Sequence, residues 1–232
     1  MLHGTAATVV LLRDAPGGLQ VLLLERPRQR GSFAGAWVFP GGVVDPADQE
    51  EPPPDDDGGG PRADSGLRAA RRAGVRETAE ETGLVLQPQD LVRLSRWVPP
   101  PEAPRRWKTE FFIAAAPAGC IRLSPGEHVD AAWLTPAEAL HRSSAGTMDL
   151  VPPTWVTLHG LQEYSSAADA LAGAAAAVPE TYATRQLPGR EPPVMVWQDD
   201  FEYPGRGPGA PHASRRHRLV RDGPSWRYQR TP

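Results

Sequence analysis

The sequence is short of cysteine, of long apolar runs and of excess charge of either sign, and each shortage removes a class of protein. Cys120 is the only cysteine among 232 residues. A lone thiol cannot staple a fold or build a thiolate metal cluster, so a reducing cytoplasm is the expected setting. No apolar run approaches the about 18 residues of a bilayer-spanning helix. The opening MLHGTAATVVLLRD has no basic run followed by a long apolar stretch and reads as a strand rather than a signal peptide. With a net charge of −3, no bulk electrostatic hold on nucleic acid or on a membrane is expected. The six histidines and one cysteine show no zinc-ligand spacing. Neither a GxxxxGK[ST] run nor a strand–glycine–helix dinucleotide signature occurs.

Proline (27) and glycine (23) are plentiful, which predicts many turns and long connections. Ala6–Leu12 and Leu19–Leu24 are apolar runs around the turn DAPGG and predict a hairpin. From Pro46 to Gly66 almost every residue is polar, acidic, proline or glycine. Such a segment buries too little to offset its ordering entropy, so 46–66 is expected to be a flexible insertion. Leu67–Thr82 predicts a helix ended by Gly83. Leu84–Leu86, Leu91–Val98, Phe111–Ala116 and Ala131–Leu134 are extended candidates, and Thr135 caps a helix at Pro136–Arg142. Helices are expected from Pro152 to Tyr164 and over Ala167–Ala177. A tail (Val194–Trp197, Arg216–Arg227) is expected to pair back on the domain. Alternating strands and helices indicate an α/β domain with a mixed sheet over 1–145, and a C-terminal extension, 146–232, packed on it.

The chemistry concentrates in Arg76-Glu77-Thr78-Ala79-Glu80-Glu81-Thr82-Gly83-Leu84. Glu77, Glu80 and Glu81 stand at i, i+3 and i+4, so they leave one helix face, where like charges repel. A hard divalent cation that takes carboxylate oxygens would remove that penalty. Arg76 could orient one carboxylate by a charge-assisted hydrogen bond. A solvated acidic face is the alternative reading. Against it, Arg68, Arg71 and Arg72 fill the first half of the helix and the acids its end, the reverse of what the helix dipole favours. Upstream, Phe39-Pro40-Gly41-Gly42 offers glycines that let backbone approach a ligand closely.

Together FPGG and RETAEETGL resemble the Nudix box: a glycine, five residues, Glu, seven residues, then Arg-Glu-apolar-x-Glu-Glu-x-Gly-apolar. The resemblance implies an α/β/α sandwich that binds Mg²⁺ (or Mn²⁺) and hydrolyses a diphosphate linkage in a nucleotide derivative. Glu77, Glu80, Glu81 and the Gly42 carbonyl would be metal ligands, and Arg76 would orient a glutamate. Three departures stand out. From Gly42 to Arg76 the chain has 20 residues more than the family spacing. Counted back from Arg76, Arg68 stands where the first box glutamate belongs. Thr78 replaces an apolar residue.

FAGAWVFPGGVVDPAD, RRWKTEFFIAA, GEHVDAAWLTPAEAL, PPTWVTLHGL and HRLVRDGPSWRY look like the Nudix branch that contains peroxisomal coenzyme A diphosphatases and bacterial relatives. Coenzyme A or acyl-CoA is therefore the favoured substrate, and a small-molecule partner the expected one. A catalytically weak nucleotide-binding module is the alternative, on the strength of Arg68. The coenzyme A signature expects an arginine and a glycine before FPGG; Arg30 and Gly35 are candidates, with the arginine one position off. Arg26, Arg28 and Arg30 could grip phosphates, or merely counter the acidic insertion. For the carboxylate that activates water Glu127 is the first candidate and Glu110 the weaker, because strand alternation could turn it outward. His128 could move a proton or be structural. Trp107 and Phe111 could stack on a base or pack in the core. A homodimer is also expected from the resemblance.

Overall fold

Burial along the first strand sets the architecture. β1 (Gly4–Ala15) sends Val9 and Leu11 to one face and Val10 and Leu12 to the other, and all four are fully buried. A strand apolar on both faces must lie inside a sandwich, where each such side chain contributes about 1.5–3 kcal/mol. The computed structural model describes residues 1–29, 33–50, 65–205 and 214–231. Within them β1 joins β2 (Gly18–Glu25), β3 (Ala36–Val38), β4 (Gly41–Val43), β5 (Val92–Val98), β6 (Trp107–Ala115), β7 (Asp130–Leu134), β8 (Asp149–Leu150) and β9 (Glu180–Ala183). They form one mixed sheet in the order β8-β3-β2-β1-β6-β5-β9, with β4 on β1 and β7 on β2. β1 runs parallel to β6 and antiparallel to β2, as the predicted hairpin requires. Its two ends take different partners: Leu12–Ala15 pair with β2, and Ala6–Thr8 with β4.

Helix α2 (Ser65–Thr82) covers the Val9/Leu11 face, with Ala70 and Ala73 fully buried. Gly74 lets it lie close, since a Cβ there would stand 2.9 Å from Val9 Cγ2. Gly83, at φ +73°, stops the helix, and its N–H donates to the Ala79 carbonyl at 2.9 Å. The opposite face packs under α4 (Pro152–Leu161) and α5 (Ala167–Ala176). Between β7 and β8 lies α3 (Pro136–Ser144), where the Thr135 hydroxyl caps the Glu138 N–H at 3.1 Å. The expected α/β/α sandwich with a mixed sheet is the observed fold.

Three expectations change. Pro46–Gln49 is not loop but a helical turn, α1, and Asp48 within it is buried. Proline suits the first helical position, and the Asp48 carboxylate accepts the Asp45 N–H at 2.9 Å, so an anchored turn hides in a polar composition. Residues 51–64 lie outside the described residues, and Ser65 and Gly66, the end of the expected insertion, instead open helix α2. Leu84–Leu86 joins no ladder, although Leu84 and Leu86 are buried. The tail does not pair with the main sheet; β10 (Arg185–Gln186), β11 (Val194–Val196), β12 (His217–Asp222) and β13 (Ser225–Arg230) form an antiparallel sheet of their own. The edge they would need, β5, is already occupied by β9. They attach instead through the core, where Trp197 is fully buried with Trp97 and Tyr182, and through the Trp226 indole, which donates to the Leu150 carbonyl at 2.9 Å.

Candidate active site

Phe39, buried edge-on against Phe111, fixes the end of β3 in the core, and the chain then turns through Pro40-Gly41-Gly42. Gly41 has φ +155°, and a Cβ on it would stand 2.2 Å from the Ala7 carbonyl oxygen. Its N–H donates to Glu81 Oε2 at 2.9 Å. On Gly42 a Cβ would fall 2.2 Å from Glu77 Oε1. The two glycines thus make room for two carboxylates that leave α2 one turn apart.

Glu81 is 4% exposed. Burial pushes its carboxyl up to about 8 against the pull of the Gly41 N–H, and the charges of Glu77 and Glu127 add to the rise. Burial likewise raises Glu77, partly offset by Arg76. Two neighbouring carboxylates withdrawn from water are costly to ionise without a cation. Glu80, the third acid, stands at the rim with a half-exposed side chain, 3.4 Å from an Arg76 nitrogen.

Arg76 organises the helix end. It donates to Glu77 Oε1 at 2.9 Å, to the Val43 carbonyl at 3.0 Å and to both Asp48 oxygens, at 2.9 and 3.3 Å. Asp48 raises the Arg76 pKa further above its ordinary value, so the guanidinium stays charged. One turn earlier, Arg72 donates to the Asp48 carbonyl at 2.7 Å. Of the arginines in the first half of α2, Arg72 holds the α1 turn, while Arg71 donates to the carbonyls of Pro88 and Leu91.

The exit of α2 places the next element. Arg122 N–H donates to the Thr82 carbonyl at 2.8 Å, Ser124 N–H to that of Glu81 at 3.4 Å, and Val129 N–H to that of Glu25 at 2.9 Å. The loop so tied carries Glu127 and His128 to the carboxylates. Glu127 is exposed, and its charge acts on both Glu77 and Glu81. His128 is buried, with Nε2 3.8 Å from Glu81 Oε1, and neither ring nitrogen has a hydrogen-bond partner. Burial, then the Arg26 charge, lowers it to about 4, so the ring is neutral near pH 7.

The other candidates divide. Arg26 is near enough for its charge to act on Glu81 and His128. Gly35, at φ +77°, lies elsewhere, packed on Arg28 in a pocket of about 300 Å³ with Trp37, Thr147 and Asp149. Arg30 lies outside the described residues. Glu110 does not turn outward. It is 2% exposed and held by Arg93 at 2.9 Å and Arg96 at 2.6 Å, because its strand face is the one α2 covers. Phe111 is core, and Trp107 packs against His3 and Gly4. Thr78 is fully buried, in keeping with the apolar position it occupies.

A NUDIX domain profile matches residues 2–152 of this chain. The chain belongs to the Nudix family. Among solved structures it is similar to a NUDIX hydrolase from Alicyclobacillus acidocaldarius, with 26% identity over 74% of this chain and 96% of that one, TM-score 0.63. The fold is shared with the NUDIX domain of Shewanella oneidensis NrtR complexed with ADP ribose, at 18% identity, 70% and 88% coverage and TM-score 0.50. The forward spacing of the box leads to a different residue from the backward count to Arg68. Counted forward from Gly42, five residues lead to Asp48, the residue that clasps Arg76.

Proposed function

We propose that this Nudix protein hydrolyses a diphosphate linkage in a nucleotide derivative with Mg²⁺ or Mn²⁺, and that coenzyme A or an acyl-CoA is its substrate. The observation that carries the reading is the pair of carboxylates withdrawn from water, Glu81 buried and Glu77 half-buried, under a glycine turn that leaves no space for a side chain at Gly42. An all-oxygen donor set with an unfavourable local charge suits a hard divalent ion. Glu77, Glu80, Glu81 and the Gly42 carbonyl would hold it, with Glu80 turning in from the rim. When bound, such an ion neutralises phosphate oxygens and makes water a better nucleophile.

The chain's own groups supply the rest. Arg76, fixed by Asp48, orients Glu77. Arg26 offers a cation beside Glu81 to a phosphate. Glu127, exposed in the loop tied to α2, is the carboxylate placed to take a proton from the attacking water. The coenzyme A preference rests on the resemblance of the segments around the box, with Gly35 and Arg30 as its signature residues. The rival reading, a nucleotide-binding module without turnover, drew on Arg68; the clasp of Arg76 by Asp48, at the forward box spacing from Gly42, supports the hydrolase instead.

A panel of coenzyme A, acyl-CoA, ADP-ribose, NADH and nucleoside diphosphate sugars, with Mg²⁺ and Mn²⁺ and products resolved by mass, tests the proposal. The expected outcome is a phosphorylated product from coenzyme A, lost when Glu80→Gln and Glu81→Gln are combined. Unchanged turnover in that variant sinks the site assignment. Intact ligand recovered from every incubation favours the binding module.

A further inference from the structure

A second set of metal-type donors lies in the C-terminal half, away from α2. Glu180 opens β9, Asp199 follows β11 and His217 opens β12. One ligand atom from each falls within 4.8 Å of the others. Acids alone make no site, but His217 is 2% exposed and neither ring nitrogen has a hydrogen-bond partner. Instead Nε2 stands 3.8 Å from Glu180 Oε1 and Nδ1 3.9 Å from Asp199 Oδ2. Those gaps exceed hydrogen-bond length. One of the two ring nitrogens can enter a shared shell, and its gap of 3.8 or 3.9 Å lies a few tenths of an ångström above the about 3.3–3.6 Å between two tetrahedral ligands of an ion at about 2.0–2.2 Å.

The ring cannot turn away to find other partners, since Tyr182, Trp197 and Tyr228 pack around it at 5.0–5.9 Å between centroids. Glu180 is also held. Arg230 donates to both its oxygens, at 2.8 and 3.0 Å, and the Tyr182 hydroxyl to Oε2 at 3.0 Å. A carboxylate has about four lone-pair positions, so one remains, on Oε1, the oxygen nearest the imidazole. We propose that Glu180, Asp199 and His217 form a divalent-cation site suited to a borderline ion such as Zn²⁺. Mixed imidazole and carboxylate donors favour that class over Mg²⁺, which takes oxygen alone. Bound there, the ion would clip three separate segments, tying the small sheet to the edge strand of the large one. Donors from three distant segments leave no spacing pattern in the sequence.

Arg215, Arg216 and Arg230 line a pocket of about 200 Å³ with His217 and Asp199, so an anion is the competing occupant. The test uses the full chain stripped by chelator, then dialysed against Zn²⁺, with Co²⁺ absorption as a second readout of an imidazole-containing shell. The variants are Asp199→Asn, at an exposed position where folding is safe, His217→Gln, and the pair Glu77→Gln with Glu81→Gln. About one Zn²⁺ should persist in the Glu77/Glu81 variant and be lost in Asp199→Asn. Zn²⁺ should raise the Tm of the parent but not of Asp199→Asn, while Mg²⁺-dependent hydrolysis stays at the parental level in both. Equal Zn²⁺ uptake by Asp199→Asn and parent overturns the site, as does loss of all Zn²⁺ in a folded Glu77/Glu81 variant. Stabilisation by inorganic phosphate without Zn²⁺ uptake overturns it in favour of the anion.

Discussion

Glu81 shows how much a single residue can be made to carry. In the unfolded chain its carboxyl ionises in the ordinary range, and in the folded chain burial holds the proton to about 8. Between those values the folded state binds more protons, so its stability falls as pH rises. Glu81→Gln lacks that loss. In chelator, the Tm of Glu81→Gln should therefore match the parent at acidic pH and exceed it increasingly up to about pH 8, where the gap levels off. A cation that binds the ionised form reverses the sign, so Mg²⁺ should raise the parent more than the variant. A gap that is constant with pH would remove the electrostatic account of this residue.

Between elements, the decisive contact is the clasp of α1 and α2 through Asp48 and Arg76. Asp48→Ala removes both Arg76 hydrogen bonds and the one from the Asp45 N–H. Charged hydrogen bonds of this kind are worth about 1.5–3 kcal/mol each, and loss of a group that orients a ligand typically lowers activity about 10–100-fold. Asp48→Ala should melt earlier and lose kcat/KM by about that factor, and Arg68→Ala should keep the parental kcat/KM; steady-state kinetics beside a thermal melt decides it. The contrast also marks what the sequence discloses. The Glu77–Glu81 helix, its Gly83 stop, the hairpin and the Thr135 cap were legible because each rests on a short local pattern. Asp48 was not, because its partner lies 28 positions away across an insertion. Nor was the burial of His128, since backbone hydrogen bonds to the end of α2 place that loop and leave no side-chain signature. Glu110 followed strand alternation to the covered face, and only the fold revealed its two arginines.

As a whole, the molecule shares one core between the family domain and the segment after it. The profile match ends at residue 152, yet Trp197 and Leu219 belong to the same apolar cluster as Val10, Phe111 and Trp155. Trp197→Ala should cost about 3–5 kcal/mol and unfold both parts in a single transition, since no apolar layer separates them. Two resolved calorimetric transitions would refute that unity. The sequence suggested an attached extension, but the strands β9 and β10 were too short and too polar to announce themselves.

The α1–α2 clasp has a further meaning for how this protein can change. Asp48 and Arg72 fasten the chain on one side of residues 51–64 to the chain on the other. The distance between Glu50 and Ser65 is therefore set by side chains and not by the length of what joins them. New sequence can accumulate at this junction, or be trimmed from it, with the carboxylates below left in register. The same seam is where the polypeptide could be severed into two complementing fragments, or host a foreign domain.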